Sequence, residues 1–173
     1  TLKQKHTPKP ISKTISHEEK YLPWQILVID DNNIASFYKS FFEEHLDCKV
    51  HTASNSQELK AFADDKTLDA IIGDHHLLGI KDGEILNFFS QIKSQKPQIK
   101  ILICSGMHDE KVIRQVKSEI SIVAYLKKPP TLKTLLLKVK NALKNLPRTV
   151  LHYRTTVTEI WPKKHTISIE VSV

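Results

Sequence analysis

Short runs of strand type alternate with longer segments of helical periodicity between residues 25 and 144. The strand-type runs lie at residues 25–30, 48–52, 68–74, 99–105 and 122–127. The intervening segments carry apolar residues three and four positions apart, which predicts helices at residues 32–45, 54–63, 83–94, 109–118 and 131–144. Most of the runs are apolar on both faces, so we expect their strands to be buried in a parallel sheet.

Five strands in regular alternation with five helices define the class of the central domain. Each parallel connection must cross over the sheet with a right-handed turn, and its helix then covers one of the two faces. We therefore expect residues 24–146 to form one α/β domain, a doubly wound five-stranded parallel sheet with helices on both sides.

The two flanks of this domain differ in pattern. Residues 1–23 are polar, carry three prolines and show no period, which predicts a linker or extended arm. Residues 147–173 instead alternate apolar and polar positions around a turn at 162–165, which predicts a strand-rich extension containing a β-hairpin. A lone hairpin is marginal in water, so it should pack on the domain, pair with another chain, or begin a further domain.

The composition fits an intracellular globular protein. The chain has 173 residues, of which 40% are apolar, and no run approaches the roughly 18 to 20 apolar residues of a membrane span. The N-terminus lacks the apolar segment of a signal peptide, so we expect a cytoplasmic protein with no membrane span. Cys48 and Cys104 have no paired spacing and predict core positions, without a disulfide or a zinc site.

The net charge of +7 is unevenly distributed. Residues 24–126 carry eleven basic and fifteen acidic side chains, whereas residues 127–173 carry ten basic and two acidic ones. The basic residues are scattered and have no aromatic residues between them or recognition-helix pattern, so we expect no specific binding of nucleic acid by this chain.

Chemically active side chains follow four of the five predicted strands, at the point where each strand ends. They are Asp30, Asp31, Asp74, Ser105 and Lys128. Because the carboxyl ends of parallel strands meet at one edge of the sheet, which is where open α/β sheets bind ligands, we expect one site there. Taken singly, each residue has an ordinary alternative: an Asp after a strand is often a turn former or helix cap, and Lys128 alone could be a surface charge.

The order and spacing of these residues resemble the receiver domain of two-component response regulators, a CheY-like phosphoacceptor fold. The resemblance covers about 120 residues and implies a flavodoxin-like strand order of 2-1-3-4-5. It also implies that Asp74 accepts a phosphoryl group, with Lys128 and Ser105 contacting the phosphoryl oxygens. Tyr125 matches the aromatic switch position that works together with Ser105.

The resemblance also implies a magnesium ion, since three neighbouring carboxylates call for a hard divalent cation. The implied ligands are the side chains of Asp31 and Asp74 and the backbone carbonyl of His76, with Asp30 acting mainly through water. A transition-metal site at His75 and His76 is disfavoured because adjacent histidines point in different directions and lack a third partner.

Two positions depart from the family pattern. Leu78 stands where receivers usually carry a proline, and the spacing from Asp74 to Gly83 is about one residue longer, which predicts a wider loop between them. His76 and Met107 hold the places that flank the path of attacking water in receivers, and Met107 predicts slow loss of the phosphoryl group.

Three functional classes remain open from the sequence. The first is a phosphoacceptor module that takes its phosphoryl group from a histidine kinase or phosphotransfer protein and catalyses only its own phosphorylation and dephosphorylation. The second is a pseudo-receiver that binds partners without phosphorylation, and the third is a phosphatase or other hydrolase. Because the only methionine is internal and residues 1–23 look like a linker, we expect a fragment of a hybrid sensor kinase or larger regulator. Homodimerisation is left open.

Overall fold

The structure is a computed structural model that describes residues 9–81, 83–106, 110–160 and 164–173. The chain divides into two compact units. The larger unit is formed by residues 23–147, and the smaller one combines residues up to 22 with residues 148–173.

A five-stranded parallel sheet forms the centre of the larger unit. Its strands are β2 (Trp24–Ile29), β3 (Cys48–Ala53), β4 (Ala70–Gly73), β5 (Lys100–Ser105) and β6 (Ala124–Lys127). Their order is β3-β2-β4-β5-β6, and every neighbouring pair is parallel. Counted within this sheet alone, the order is 2-1-3-4-5, which confirms the predicted fold.

Among the described residues, four helices connect these strands and a fifth follows the last strand. They are α1 (Asn32–His45), α2 (Ser56–Ala61), α3 (Glu84–Gln95), α4 (Glu110–Ile120) and α5 (Leu132–Leu143). In the described part of the chain, side-chain caps start three of them: Asp31 for α1, Asn55 for α2 and Thr131 for α5. A capping oxygen accepts hydrogen bonds from backbone N–H groups that the first turn cannot otherwise satisfy.

The sheet has an apolar layer on each face, as the doubly wound prediction requires. One layer packs Leu59 of α2 and Phe89 of α3 against the sheet and includes Val116 of α4. The other contains Phe42 of α1 and Leu135 of α5. Strand β4 is buried along its whole length, and β2 and β5 are buried except at their starts, so the middle of the sheet is a rigid platform whose edge can hold polar groups at fixed positions.

The smaller unit is a three-stranded antiparallel sheet. Its strands are β1 (Ile11–Tyr21), β7 (Val150–Ile160) and β8 (Lys164–Ser172), in the order β1-β7-β8. The pairing of β7 with β8 confirms the predicted hairpin. The strand that joins this hairpin is β1 of the same chain, an arrangement that the sequence did not suggest.

Residues 11–21 are therefore a strand, although we expected them to belong to a linker or arm. The segment is polar and almost entirely exposed, so it shows no apolar period by which a strand is recognised. The segment is held as a strand by backbone hydrogen bonds to β7. The pairing runs from Ile11 opposite Glu159 to Tyr21 opposite Val150, with one irregularity between Thr14 and Ser16. Backbone pairing of this kind leaves little signature in the side chains.

Among the residues that the structure describes, none of the helices is both long enough and apolar enough to cross a membrane.

Candidate functional site

The carboxyl ends of four strands of the five-stranded sheet meet at one edge. Backbone hydrogen bonds continue beyond the strands and fix the residues that follow them. The Asp74 N–H donates to the Ile29 carbonyl at 2.8 Å, and the Lys128 N–H donates to the Ser105 carbonyl at 2.9 Å. Residues from distant parts of the chain are thereby held beside one another before any ligand is bound.

Lys128 links two carboxylates at this edge. Its Nζ lies 2.6 Å from Asp30 Oδ2 and 2.8 Å from Asp74 Oδ2, and it also donates to Asp30 Oδ1 at 2.8 Å. Asp30 and Asp74 are both buried, so these charges interact with little screening by water. The structure thus brings together the predicted nucleophile, one predicted acidic neighbour and the predicted cation.

The pKa values of this group follow from burial and pairing together. Burial raises the pKa of Asp30, and this effect exceeds the lowering caused by its hydrogen bonds and charge interaction with Lys128. Burial alone would lower the pKa of Lys128, but hydrogen bonds to Asp30 and Asp74 outweigh it and raise the value. Lys128 is therefore a permanent cation at neutral pH.

Asp31 differs from Asp30 in its hydrogen-bond partners. Its Oδ1 accepts hydrogen bonds from the N–H groups of Asn33 and Ile34, each at 3.1 Å, and so caps α1. Its own N–H donates to Asp30 Oδ1 at 2.9 Å. The helix-cap role that sequence reasoning gave as the ordinary alternative for such an Asp is thus the one that Asp31 has here.

An open cleft of about 370 Å³ lies over these groups. Its lining residues are Asp30, Asp31, Asn32, Ser54, Asp74, His76, Leu77, Leu78 and Lys128. The second carboxylate oxygen of Asp74, Oδ1, accepts the N–H of His76 at 3.0 Å. Sequence reasoning missed Asn32 and Ser54, which lie in loops or at a helix start and carry no pattern of their own.

The donor chemistry of this cleft fits a hard divalent cation. Asp30, Asp31 and Asp74 all line it, and the single ammonium of Lys128 leaves their combined charge negative when all three are ionised. Carboxylate and carbonyl oxygens are the ligands that Mg²⁺ prefers. Within the described ranges, no three His, Cys, Asp or Glu side chains are already grouped as a metal site.

Ser105 and Tyr125 lie on the adjoining strands. Ser105 is fully buried at the end of β5, and Tyr125 is half-buried in β6. The Tyr125 ring meets the His75 ring edge to face, with their centroids 5.7 Å apart. Tyr125 also lines a surface groove with Glu110, Ile113, Arg114 and Lys117 of α4.

His75 is the residue that sequence reasoning did not connect with this site. It follows Asp74 directly and contacts the ring of Tyr125, so it joins the predicted phosphoacceptor to the predicted switch residue. Burial lowers its pKa, which keeps the imidazole neutral, and its Nδ1 is the buried side-chain nitrogen without a hydrogen-bond partner in the described part of the chain. No sequence pattern signals this contact, because it depends on the side-chain directions of a loop residue that follows β4 and of a residue in β6.

The loop after Asp74 returns to the core through Ile80. This side chain is 8% exposed and packs in the apolar layer that contains Phe89, whereas Leu78 is 98% exposed at the cleft. Gly79 and Gly83 both have φ near +85°, at 88° and 82°, a region that favours glycine. Asp82 of this loop and Met107, predicted to slow loss of the phosphoryl group, lie outside the described residues.

Comparison with known proteins agrees with this fold. A signal receiver domain of an HD domain-containing protein from Pseudomonas fluorescens Pf-5 is 25% identical over 70% of this chain and 95% of its own, with a TM-score of 0.62. A response regulator receiver domain protein from Clostridium thermocellum is 27% identical over 70% of this chain and 94% of its own, with a TM-score of 0.58. A response regulator from Thermotoga maritima is 25% identical over 72% of this chain and all of its own (100%), with a TM-score of 0.61. No curated protein matches the chain.

The model of the response regulator receiver domain family matches residues 26–140, which is most of the five-stranded unit. The chain belongs to this family. It is thus a signalling domain of two-component type, and the receiver domain is its α/β unit.

Proposed function

We propose that this receiver domain accepts a phosphoryl group on Asp74 and uses it to switch a partner surface. The observation that carries the proposal is the position of the Lys128 ammonium, 2.8 Å from Asp74 Oδ2 in an open cleft. A buried carboxylate with a fixed cation beside it and an open approach is what an in-line phosphoryl acceptor needs.

The donor is a phosphohistidine of a histidine kinase or phosphotransfer protein. A carboxylate oxygen of Asp74 attacks the phosphorus, the O–P bond forms, and the P–N bond to the donor imidazole breaks. The departing imidazole nitrogen keeps the bonding electron pair and takes up a proton from solvent. Asp74 becomes an acyl phosphate, and Lys128 holds the new charge by binding a phosphoryl oxygen in place of the carboxylate. The Ser105 hydroxyl contacts a second phosphoryl oxygen.

Asp31, Asp74 and the backbone carbonyl of His76 would hold Mg²⁺, with Asp30 acting through water. The bound ion supplies the positive charge that offsets the carboxylates and the transferring phosphoryl group. Asp31 therefore has two tasks, since its carboxylate also caps α1. Asp30 keeps Lys128 in place through its own ion pair of 2.6 Å with the ammonium.

The switch works through Tyr125. Movement of Ser105 toward the phosphoryl group vacates space into which Tyr125 turns, and this changes the face formed by α4, β6 and α5. Tyr125 lines one groove together with the α4 residues Ile113 and Arg114, which supports this choice of surface.

The domain works within a larger cytoplasmic signalling system, as part of a hybrid sensor kinase or larger regulator. The domain itself does not bind nucleic acid specifically. Within the segment that precedes the domain, residues 11–21 form strand β1.

Two observations favour the pseudo-receiver as a second candidate. Asp31, an implied metal ligand, has its Oδ1 engaged by two backbone N–H groups of α1, and Leu78 replaces the usual proline of the loop. A domain of this kind would bind its partner equally well with and without phosphodonor.

Transfer from a phosphorylated histidine kinase core separates the two candidates. We expect radiolabel to move to the wild-type chain and not to Asp74→Asn. Asp69→Asn is the matched control, because Asp69 precedes the same strand at its opposite end and should leave transfer unchanged. Binding of the kinase core without any transfer would favour the pseudo-receiver.

A further inference from the structure

The smaller unit has an open edge at strand β8. The order β1-β7-β8 makes β1 and β8 the two edges, and no strand among the described residues pairs with the outer side of β8. Charged side chains on an edge strand discourage pairing with other chains. β1 carries such charges at Lys13, Glu18, Glu19 and Lys20, whereas residues 167–173 carry only Glu170.

The open edge also has an apolar face. Ile167, Ile169 and Val171 alternate along β8 and are 67%, 64% and 54% exposed. Alternate residues of a strand lie on the same face, so the three form one row. The residues registered opposite them on β7 include Val157 and Tyr153, which extend the apolar face across the sheet.

The sequence of this edge is nearly a palindrome. Residues 167–173 read Ile-Ser-Ile-Glu-Val-Ser-Val, so the order of residue types is the same in both directions about Glu170. A second copy that pairs antiparallel about Glu170 would place Ile169 opposite Val171 and Ser168 opposite Ser172. Pairs of β-branched residues and pairs of hydroxyl residues directly opposite one another both stabilise antiparallel sheets.

Glu170 is the one unfavourable position in this pairing, because the two copies of its carboxylate would face one another. On β7, however, Arg154 is registered directly opposite Glu170. The row across the joined sheet would therefore read Arg154, Glu170, Glu170 and Arg154, with each carboxylate flanked by a guanidinium. The charges of the row sum to zero.

We propose that the chain forms a homodimer by antiparallel pairing of β8 with β8 of a second copy, giving a continuous six-stranded sheet. The interface is isologous, because both copies use the same strand: Ile169 of each copy lies opposite Val171 of the other. The backbone groups of the open edge supply the hydrogen bonds, and the palindrome sets the register. This association does not involve Asp74 and goes beyond the proposed phosphoacceptor function.

Charge exchange at Ser168 and Ser172 tests both the surface and the register. Both side chains are exposed. In the dimer, Ser168 of each copy lies opposite Ser172 of the other, so the interface contains this pair twice. Sedimentation equilibrium of the whole chain should show a dimer for the wild type. The double variant Ser168→Lys with Ser172→Lys, and the corresponding Glu double variant, should each weaken it by about tenfold or more, since like charges then stand opposite one another.

Mixing the Lys and Glu variants should restore a dimer that contains one copy of each, because every Lys then faces a Glu. The matched control is Ser12→Lys with Thr14→Lys, which adds the same charge to the other edge and should leave dimerisation unchanged. A wild-type monomer at all concentrations would overturn the proposal. So would a dimer that is unaffected by the Lys variant, or a failure of the two variants to associate when mixed.

Discussion

Lys128 Nζ lies 2.8 Å from Asp74 Oδ2 and 2.6 Å from Asp30 Oδ2, so one ammonium binds carboxylates that follow two different strands. In the chain, Lys128 lies 54 positions after Asp74 and 98 positions after Asp30. Their arrangement depends on the parallel sheet, and it places the cation before the phosphoryl group arrives. Charge stabilisation at Asp74 therefore needs little reorganisation at the moment of transfer.

Removal of this ammonium should impair both chemistry and stability. We expect Lys128→Met to slow phosphorylation by acetyl phosphate by about 100-fold or more, as for loss of one preorganised charge donor. Two buried carboxylates would also lose their charged partner, which should lower the free energy of unfolding by about 1 to 3 kcal/mol at neutral pH. Lys127→Met is the control, since Lys127 is exposed. Normal labelling of Lys128→Met would show that the ammonium is not part of the acceptor site.

Substitutions of Asp31 should separate its two tasks. Asn is as good a helix cap as Asp, so Asp31→Asn should leave stability nearly unchanged, whereas Asp31→Ala should cost about 1 kcal/mol. Both variants should weaken Mg²⁺ binding, because both lose the carboxylate. Chemical denaturation in chelator and calorimetric titration with Mg²⁺ measure the two quantities. Undiminished Mg²⁺ affinity in Asp31→Asn would remove Asp31 from the ligand set.

Gly73 should be required for the position of Asp74. A Cβ at residue 73 would lie 2.6 Å from Cζ of Phe89, a ring that is completely buried. We expect Gly73→Ala to cost about 1 to 3 kcal/mol by overpacking and to slow phosphorylation of the adjacent Asp74. A Cβ at Gly106 would meet nothing within 4 Å, so Gly106→Ala is the matched control. The added methyl group should be tolerated better when Gly73→Ala is combined with Phe89→Leu. If the losses of stability from the two substitutions were strictly additive, that result would argue against this contact.

Tyr125 should carry the signal away from the site without taking part in the transfer. We expect Tyr125→Ala to be phosphorylated at the wild-type rate but to lose most of the phosphorylation-dependent association with its partner. His75→Ala removes the ring that packs against Tyr125 and should weaken the same coupling, because Tyr125 then lacks its fixed neighbour. Labelling rates and partner binding with and without beryllofluoride provide the comparison. An equal loss of both in Tyr125→Ala would refute the separation of roles.

The fold could be predicted from the sequence because each element has a strong local signal. The three middle strands, β2, β4 and β5, are mostly buried on both faces, so their apolar runs stand out, and the helices have regular apolar faces. Strand β1 had no such signal, since it is polar and is held by backbone pairing with residues more than 125 positions away. Its partner, the hairpin, was predictable because its own strands alternate.

The site could be predicted only in part for a related reason. Asp30, Asp74 and Lys128 stand at strand ends, so the topology alone places them together. The capping role of Asp31 depends on its backbone angles, and the contact of His75 with Tyr125 depends on side-chain directions. Neither feature can be predicted from the spacing of residues in the sequence. Ile80 was likewise missed, because one apolar residue in a loop does not show whether it returns to the core.

The most direct measurement of the central claim is the intact mass of the chain after treatment with acetyl phosphate. We predict one added phosphoryl group on the wild type in the presence of Mg²⁺, none when the metal is chelated, and none in Asp74→Asn. The adduct should be lost in mild alkali, since an acyl phosphate is more labile than a phosphate ester. Full labelling of Asp74→Asn, or a wild type that stays unmodified under conditions that label another receiver domain in the same tube, would contradict the assignment of Asp74 as the phosphoacceptor.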